Sequence, residues 1–249
     1  MVMPLYDENP FSAKVRPVVT WALIATNILI FAFELIATPA NTQMAVNSFG
    51  MTPSLLSGEI ALPDTPPASL TLFTYMFLHA DIVHLLGNLL FLWVYGDNVE
   101  GALGRLRFLV FYLLCGIIGA LFFFLSDIRG QVPLIGASGA IAGVVIAYMM
   151  LRPCAKITAL AFGIPMRISA YWVIGAFIVL QFINLGSASK SEVAYWCHIG
   201  GMLAGGLLFP FMRQPGVELF ECIEPAPLAT SAMPDTSHLP GAPQPDAPR

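Results

Sequence analysis

Six apolar stretches punctuate this chain, at about residues 18–38, 83–103, 107–126, 134–151, 169–187 and 193–212. An α-helix rises ~1.5 Å per residue, so about 20 residues cross a hydrocarbon core ~30 Å thick. Each stretch is near that length, and the pattern predicts six membrane-spanning helices. The fourth is the weakest, being short and holding several glycines. Between the first two runs a long connection, residues 39–82, in which Pro, Ser, Thr and Asn mix with apolar patches around Met44 to Leu62. That mixture predicts an interfacial or membrane-embedded loop. Polar and acidic residues precede the first stretch, unlike a cleavable signal peptide, so that stretch is expected to remain as a span. Residues 214–249 hold eight prolines among Ala, Ser, Thr and acids, which predicts a disordered tail. The pattern thus reads as an all-α integral membrane protein: a segment 1–17, a six-helix membrane domain 18–213 and a tail 214–249.

Composition strengthens this reading. Apolar residues make up 57% of the chain and charged ones 10%, against about a quarter charged in a soluble domain. The lipid bilayer is the expected solvent. A net charge of −4 without a basic cluster argues against nucleic acid as a partner. Four widely spaced cysteines, with no C-x-x-C pair, suggest neither a disulfide framework nor a thiolate metal site. No feature specifies an oligomeric state.

The cations orient the spans. With the N-terminus in the cytoplasm, the inner side holds Lys14, Arg16, Arg105, Arg107, Arg152, Lys156, Arg167 and Arg213. The outer side holds Arg129 and Lys190. This excess on one side places both termini in the cytoplasm. The long loop and the starts of the second, fourth and sixth spans then face outward.

Strongly polar groups inside spans are costly, so each needs an account. His79, His84 and His198 sit at or within apolar segments, Asn88 lies in HLLGNLLFLWVYG, and Ser138 lies in LIGASGAIAGVVIAYMM. Asn88 and His198 are each five residues past the start of a span, roughly 8 Å below the outer surface. From Ser138 to Leu151 there are only fourteen residues, about 21 Å of helix. A ~30 Å core then places Ser138 roughly 9 Å below the same surface. Three separate segments converge on one level.

That convergence has a chemical reading. A serine hydroxyl becomes nucleophilic when a base takes its proton, and imidazole is the usual base near neutral pH. Ser138 is the candidate nucleophile and His198 its base. Gly136 and Gly139 flank Ser138 and permit a tight turn into the fourth helix. His84 and Asn88, one helical turn apart, can donate hydrogen bonds on one face and, with the Ser138 N–H, form an oxyanion hole. Gly139, Gly143 and Ala147 repeat every four residues, as do Gly201 and Gly205. Such small-residue faces let the fourth and sixth helices approach closely.

Together these motifs resemble the rhomboid family of intramembrane serine proteases, from about Leu70 to Phe211. His79, His84 and Asn88 match its H-x4-H-x3-N pattern, and Glu100, Gly104 and Phe108 match E-x3-G-x3-F, taken as structural. Gly136, Ser138 and Gly139 match G-x-S-G, while His198, Gly201 and Gly205 match H-x-x-G-x-x-x-G. The resemblance implies a six-transmembrane-helix rhomboid-like bundle and a Ser–His dyad without an acidic third member. It also implies cleavage of other proteins' transmembrane segments, with no metal or other cofactor. The long first loop would lie partly in the outer leaflet, and the fifth helix would take part in substrate access. A bacterial inner membrane is the expected location.

Three positions depart from the family pattern. Ala142 stands where some members carry an aromatic that stacks on the base, so something else must orient His198. Leu70-Thr71 replaces a Trp-Arg pair, and Gly87 replaces a bulky residue before Asn88. His79 reads as structural, holding the loop to the second span.

Rival functions fare less well. There is no H-E-x-x-H for a metalloprotease, no pair of deep carboxylates for an aspartyl protease, and little sign of the repeated interrupted helices of a transporter. A catalytically inactive relative that binds or traffics membrane proteins should lack Ser138 or His198, and both are present.

Overall fold

The computed structural model describes residues 2–7, 16–63, 65–161, 164–186 and 195–222. Nine α-helices are formed among them: α1 (Val18–Ile36), α2 (Pro39–Phe49), α3 (Pro53–Leu56), α4 (Thr71–Thr74), α5 (Ile82–Leu103), α6 (Arg105–Ser126), α7 (Ser138–Leu151), α8 (Ala170–Gly186) and α9 (Tyr195–Met212). Three of these, α1, α5 and α6, are long and apolar enough to cross a bilayer, while α7 and α8 are shorter apolar helices. The apolar pattern located α1 and α5–α9 to within a few residues. The fourth begins at Ser138, four residues into its apolar stretch.

The central helix is α7, surrounded by α5, α6, α8 and α9. Every residue from Gly139 to Tyr148 is buried, which accounts for a segment apolar on all sides. By contrast α1 buries one stripe, Thr20, Leu23, Asn27 and Phe31, and leaves Leu29, Phe33, Leu35 and Ile36 exposed. Spacings of three and four residues put that stripe on one helical face.

Close contact between α7 and α9 depends on glycine. A Cβ on Gly201 would fall on the carbonyl of Gly139, and one on Gly205 would lie 2.6 Å from Gly143 Cα. Neither neighbour is a flexible side chain that could yield. The spacing of small residues foresaw this face.

Glu100 and Gly104 account for the far end of α5. The Glu100 carboxylate is fully buried and accepts hydrogen bonds from Val19 N (3.0 Å), Thr20 N (2.7 Å) and Thr20 Oγ1 (2.8 Å). It satisfies N–H groups that the first turn of α1 leaves without helical partners, and its charge suits the positive end of the helix dipole. Gly104, at φ 80°, makes the turn into α6.

Four features go beyond the sequence reading. First, an otherwise helical chain contains a three-stranded antiparallel sheet in the order β1 (Val2–Asp7), β2 (Lys156–Ala161), β3 (Ile164–Ser169). Asp7 anchors it to the helices, accepting from Tyr148 Oη at 2.7 Å and Asn98 Nδ2 at 2.9 Å. Burial pushes the Asp7 carboxyl above its ordinary range, partly offset by those two hydrogen bonds. Second, packed chain continues past Arg213. Gln214 N donates to Ala102 O (2.9 Å), Phe220 N donates to Met150 O (2.6 Å), and Glu221 pairs with Arg152 at 2.7 Å. Residues 223–249 of the expected tail lie outside the described residues. Third, Cys154 and Cys222 form a disulfide that their wide spacing did not suggest.

The fourth concerns the long loop 39–82, which is built from short helices and docks onto the segment before α7. Met51 and Leu134 exchange backbone hydrogen bonds (3.0 and 2.8 Å), Ser54 N donates to Gly130 O (3.0 Å), and Gly136 N donates to Tyr75 O (2.9 Å). These bonds fix the chain as it approaches Ser138.

Candidate active site

Asp81 starts the arrangement. Its carboxylate caps α5, accepting from Val83 N and His84 N at 2.8 Å each. Those backbone donors hold the exposed Asp81 carboxyl below the usual carboxylate range, the His84 N–H most strongly. The helix so fixed carries His84 and Asn88 one turn apart on the face toward α7. His79 packs edge-on against the His84 ring, with centroids 5.2 Å apart.

Gly136 occupies the space in front of these two side chains. Its φ of 113° is one that L side chains rarely adopt. A Cβ there would lie 2.6 Å from His84 Cε1 and 3.6 Å from Asn88 Nδ2. Two residues later Ser138 opens α7, where the first N–H groups have no helical acceptor and the dipole favours negative charge. Asn88 is 7% exposed, and its Nδ2 has no hydrogen-bond partner among the described residues. Placed beside the start of α7, this amide can donate to an acceptor there.

Across from Ser138 stands His198 on α9, held near by the Gly139–Gly201 contact. His198 Nε2 lies 2.8 Å from Ser138 Oγ. The ring is buried and Ser138 is partly exposed, so the hydroxyl remains approachable. Tyr195, three residues earlier on α9, meets the His198 ring edge-on at 6.4 Å. Behind Gly139, Tyr75 Oη donates to Gly116 O at 2.8 Å, tying the long loop to α6.

The geometry unites Ser138, His198, His84, Asn88 and Gly136 around one point. Gly139 and Gly201 form the contact behind it, Gly205 continues that contact along α9, and His79 backs His84. Such a set can pass a proton from hydroxyl to imidazole and can offer hydrogen bonds to a nearby oxyanion.

One residue escaped the sequence reading. Gln181 on α8 is buried, and its Oε1 lies 2.8 Å from His198 Nδ1. The available signal was a polar amide within the apolar stretch AYWVIGAFIVLQFINLG, where polar groups require a reason. Spacing alone does not reveal which neighbour it faces.

Residues 67–215 match the Rhomboid domain. The chain is similar to "Rhomboid protease GluP" of Bacillus subtilis (strain 168), 32% identical over 193 residues covering 76% of this chain and 34% of that protein. It is also similar to "Rhomboid protein 1, mitochondrial" of Saccharomyces cerevisiae, 32% identical over 137 residues covering 53% of this chain and 38% of that protein. "Putative rhomboid protease YdcA" of Bacillus subtilis (strain 168) is 30% identical over 152 residues, covering 57% of this chain and 65% of that protein. The chain thus spans from about a third to two thirds of the length of these relatives. Apolar helices, small-residue packing and a domain match over most of the bundle lead to one assignment: this integral membrane protein belongs to the rhomboid family.

Proposed function

We propose that this chain is an intramembrane serine endopeptidase that cleaves transmembrane segments of other membrane proteins through a Ser138–His198 dyad. The observation that carries the reading is the 2.8 Å approach of His198 Nε2 to Ser138 Oγ at the start of a buried helix. Ser138 Oγ attacks the scissile carbonyl while His198 takes its proton, then returns it to the leaving amine. The oxyanion is held by Asn88 Nδ2, the His84 ring and the Ser138 N–H. Water then releases the acyl group, with His198 again acting as base. Peptide bonds in a regular helix are shielded, so substrates are single spans whose helices unwind locally near small residues.

In this reading α1 and α5–α9 are six spans, and both termini lie in the cytoplasm, as the cation bias favours. The membrane is a bacterial inner membrane. The test is cleavage of a single-span substrate in detergent by the wild type and by Ser138→Ala. Equal cleavage by both sinks the mechanism. No cleavage by either, with normal substrate binding, favours an inactive relative that binds or traffics membrane proteins.

A further inference from the structure

We infer that Gln181 is a positioning residue that sets the tautomer and ring orientation of His198, completing a Ser138–His198–Gln181 relay. The inference rests on the protease reading above and extends it. A serine and a histidine alone do not specify which imidazole nitrogen carries the proton. If Nδ1 were the bare nitrogen, Nε2–H would face Ser138 and no base would be available.

Three observations assign the proton. Gln181 Oε1 lies 2.8 Å from His198 Nδ1, and an amide oxygen only accepts, so Nδ1 carries the hydrogen. The amide's own nitrogen is directed elsewhere, donating to Phe177 O one turn back at 3.4 Å, which orients Oε1 toward the ring. Nε2 is then the acceptor, and it lies 2.8 Å from Ser138 Oγ. Both hydrogen bonds to the ring are short, and His198 and Gln181 are each buried, so water competes weakly for either.

The need for such a partner is visible on α7. Ala142, one turn after Ser138, is fully buried and offers no ring against which an imidazole could stack. Tyr195 touches the histidine edge-on but neither supplies an acceptor nor distinguishes the two nitrogens. Gln181 does both. When Nε2 takes the serine proton, the resulting imidazolium binds the amide oxygen more tightly, because a hydrogen bond from a charged donor is stronger than a neutral one. The acceptor is neutral, so the relay stabilises the cation without placing a carboxylate in the apolar bundle.

The test compares Gln181→Met, which keeps the length of the side chain but removes the acceptor, with Gln181→Glu, which keeps an oxygen at the same reach. Cleavage of a single-span substrate is measured in detergent alongside thermal unfolding. Gln181→Met is expected to lower kcat about 10²-fold or more with KM and unfolding temperature near wild type, and Gln181→Glu to restore much of the loss. Wild-type kcat in Gln181→Met, or equal losses in both variants, overturns the assignment. Ser138→Ala is run in parallel: if it cleaves as the wild type does, the protease reading fails instead. Independently of turnover, NMR of isotope-labelled histidine should show His198 protonated at Nδ1 in the wild type and no longer uniformly so in Gln181→Met. A wild-type ring protonated at Nε2 also overturns the assignment.

Discussion

Gly201 on α9 faces the main-chain carbonyl of Gly139 on α7 with no room for a methyl group between them. Gly139 follows Ser138 directly, and Gly201 lies one turn after His198. The helices meet where the serine and histidine face each other.

Gly201→Ala should therefore cost both stability and activity. Its Cβ would lie 2.8 Å from the Gly139 carbonyl carbon, and overpacking of this kind costs about 1–3 kcal/mol. Relief requires α9 to move away, which lengthens the Ser138–His198 hydrogen bond. Thermal unfolding and cleavage should both suffer, whereas Gly206→Ala should be nearly silent, because its nearest neighbour would be Ile146 Cγ2 at 3.6 Å. Similar behaviour of the two variants would contradict this account.

Asn88→Ala removes a buried donor that has no partner among the described residues. In the proposed mechanism Nδ2 gains its acceptor only in the reaction, so the loss should appear in kcat rather than KM, at about 10²–10³-fold. Folding should be unaffected or slightly improved, since an unsatisfied buried group disappears. A raised KM with unchanged kcat would instead assign Asn88 to substrate binding.

Asp7 gives a pH dependence. Burial raises its carboxyl above the ordinary range, so the folded protein favours the protonated form. Its contribution to stability is full below the unfolded-state value, about 4, and is lost as pH rises through the raised folded value. Asp7→Asn retains an acceptor for Tyr148 and removes the buried charge. The variant should unfold at a higher temperature than the wild type near neutral pH, with the gap narrowing toward about pH 4. A variant less stable across the whole range would show that the charge-assisted hydrogen bonds outweigh burial.

Much of this protein could be read from local pattern. Apolar runs located the helices, since in lipid each span must satisfy its own backbone. Helical rise led to the expectation of one level for Asn88, Ser138 and His198, and four-residue glycine spacing marked the faces that bring α7 and α9 together. Glu100 belonged to a recognised motif, but its role needed α1, about eighty residues earlier in the chain. The sheet was hidden because β1 pairs with a strand at least 150 residues further along the chain, and short strands at a helical bundle's end leave little periodicity. Gln181 was hidden for a related reason. Depth along a span follows from counting residues, but rotation about the helix axis and the choice of neighbour do not. The sequence by itself located the apolar helices and nominated the candidate nucleophile and base. Tertiary packing alone decided which amide faces His198, and so which nitrogen is left bare for Ser138.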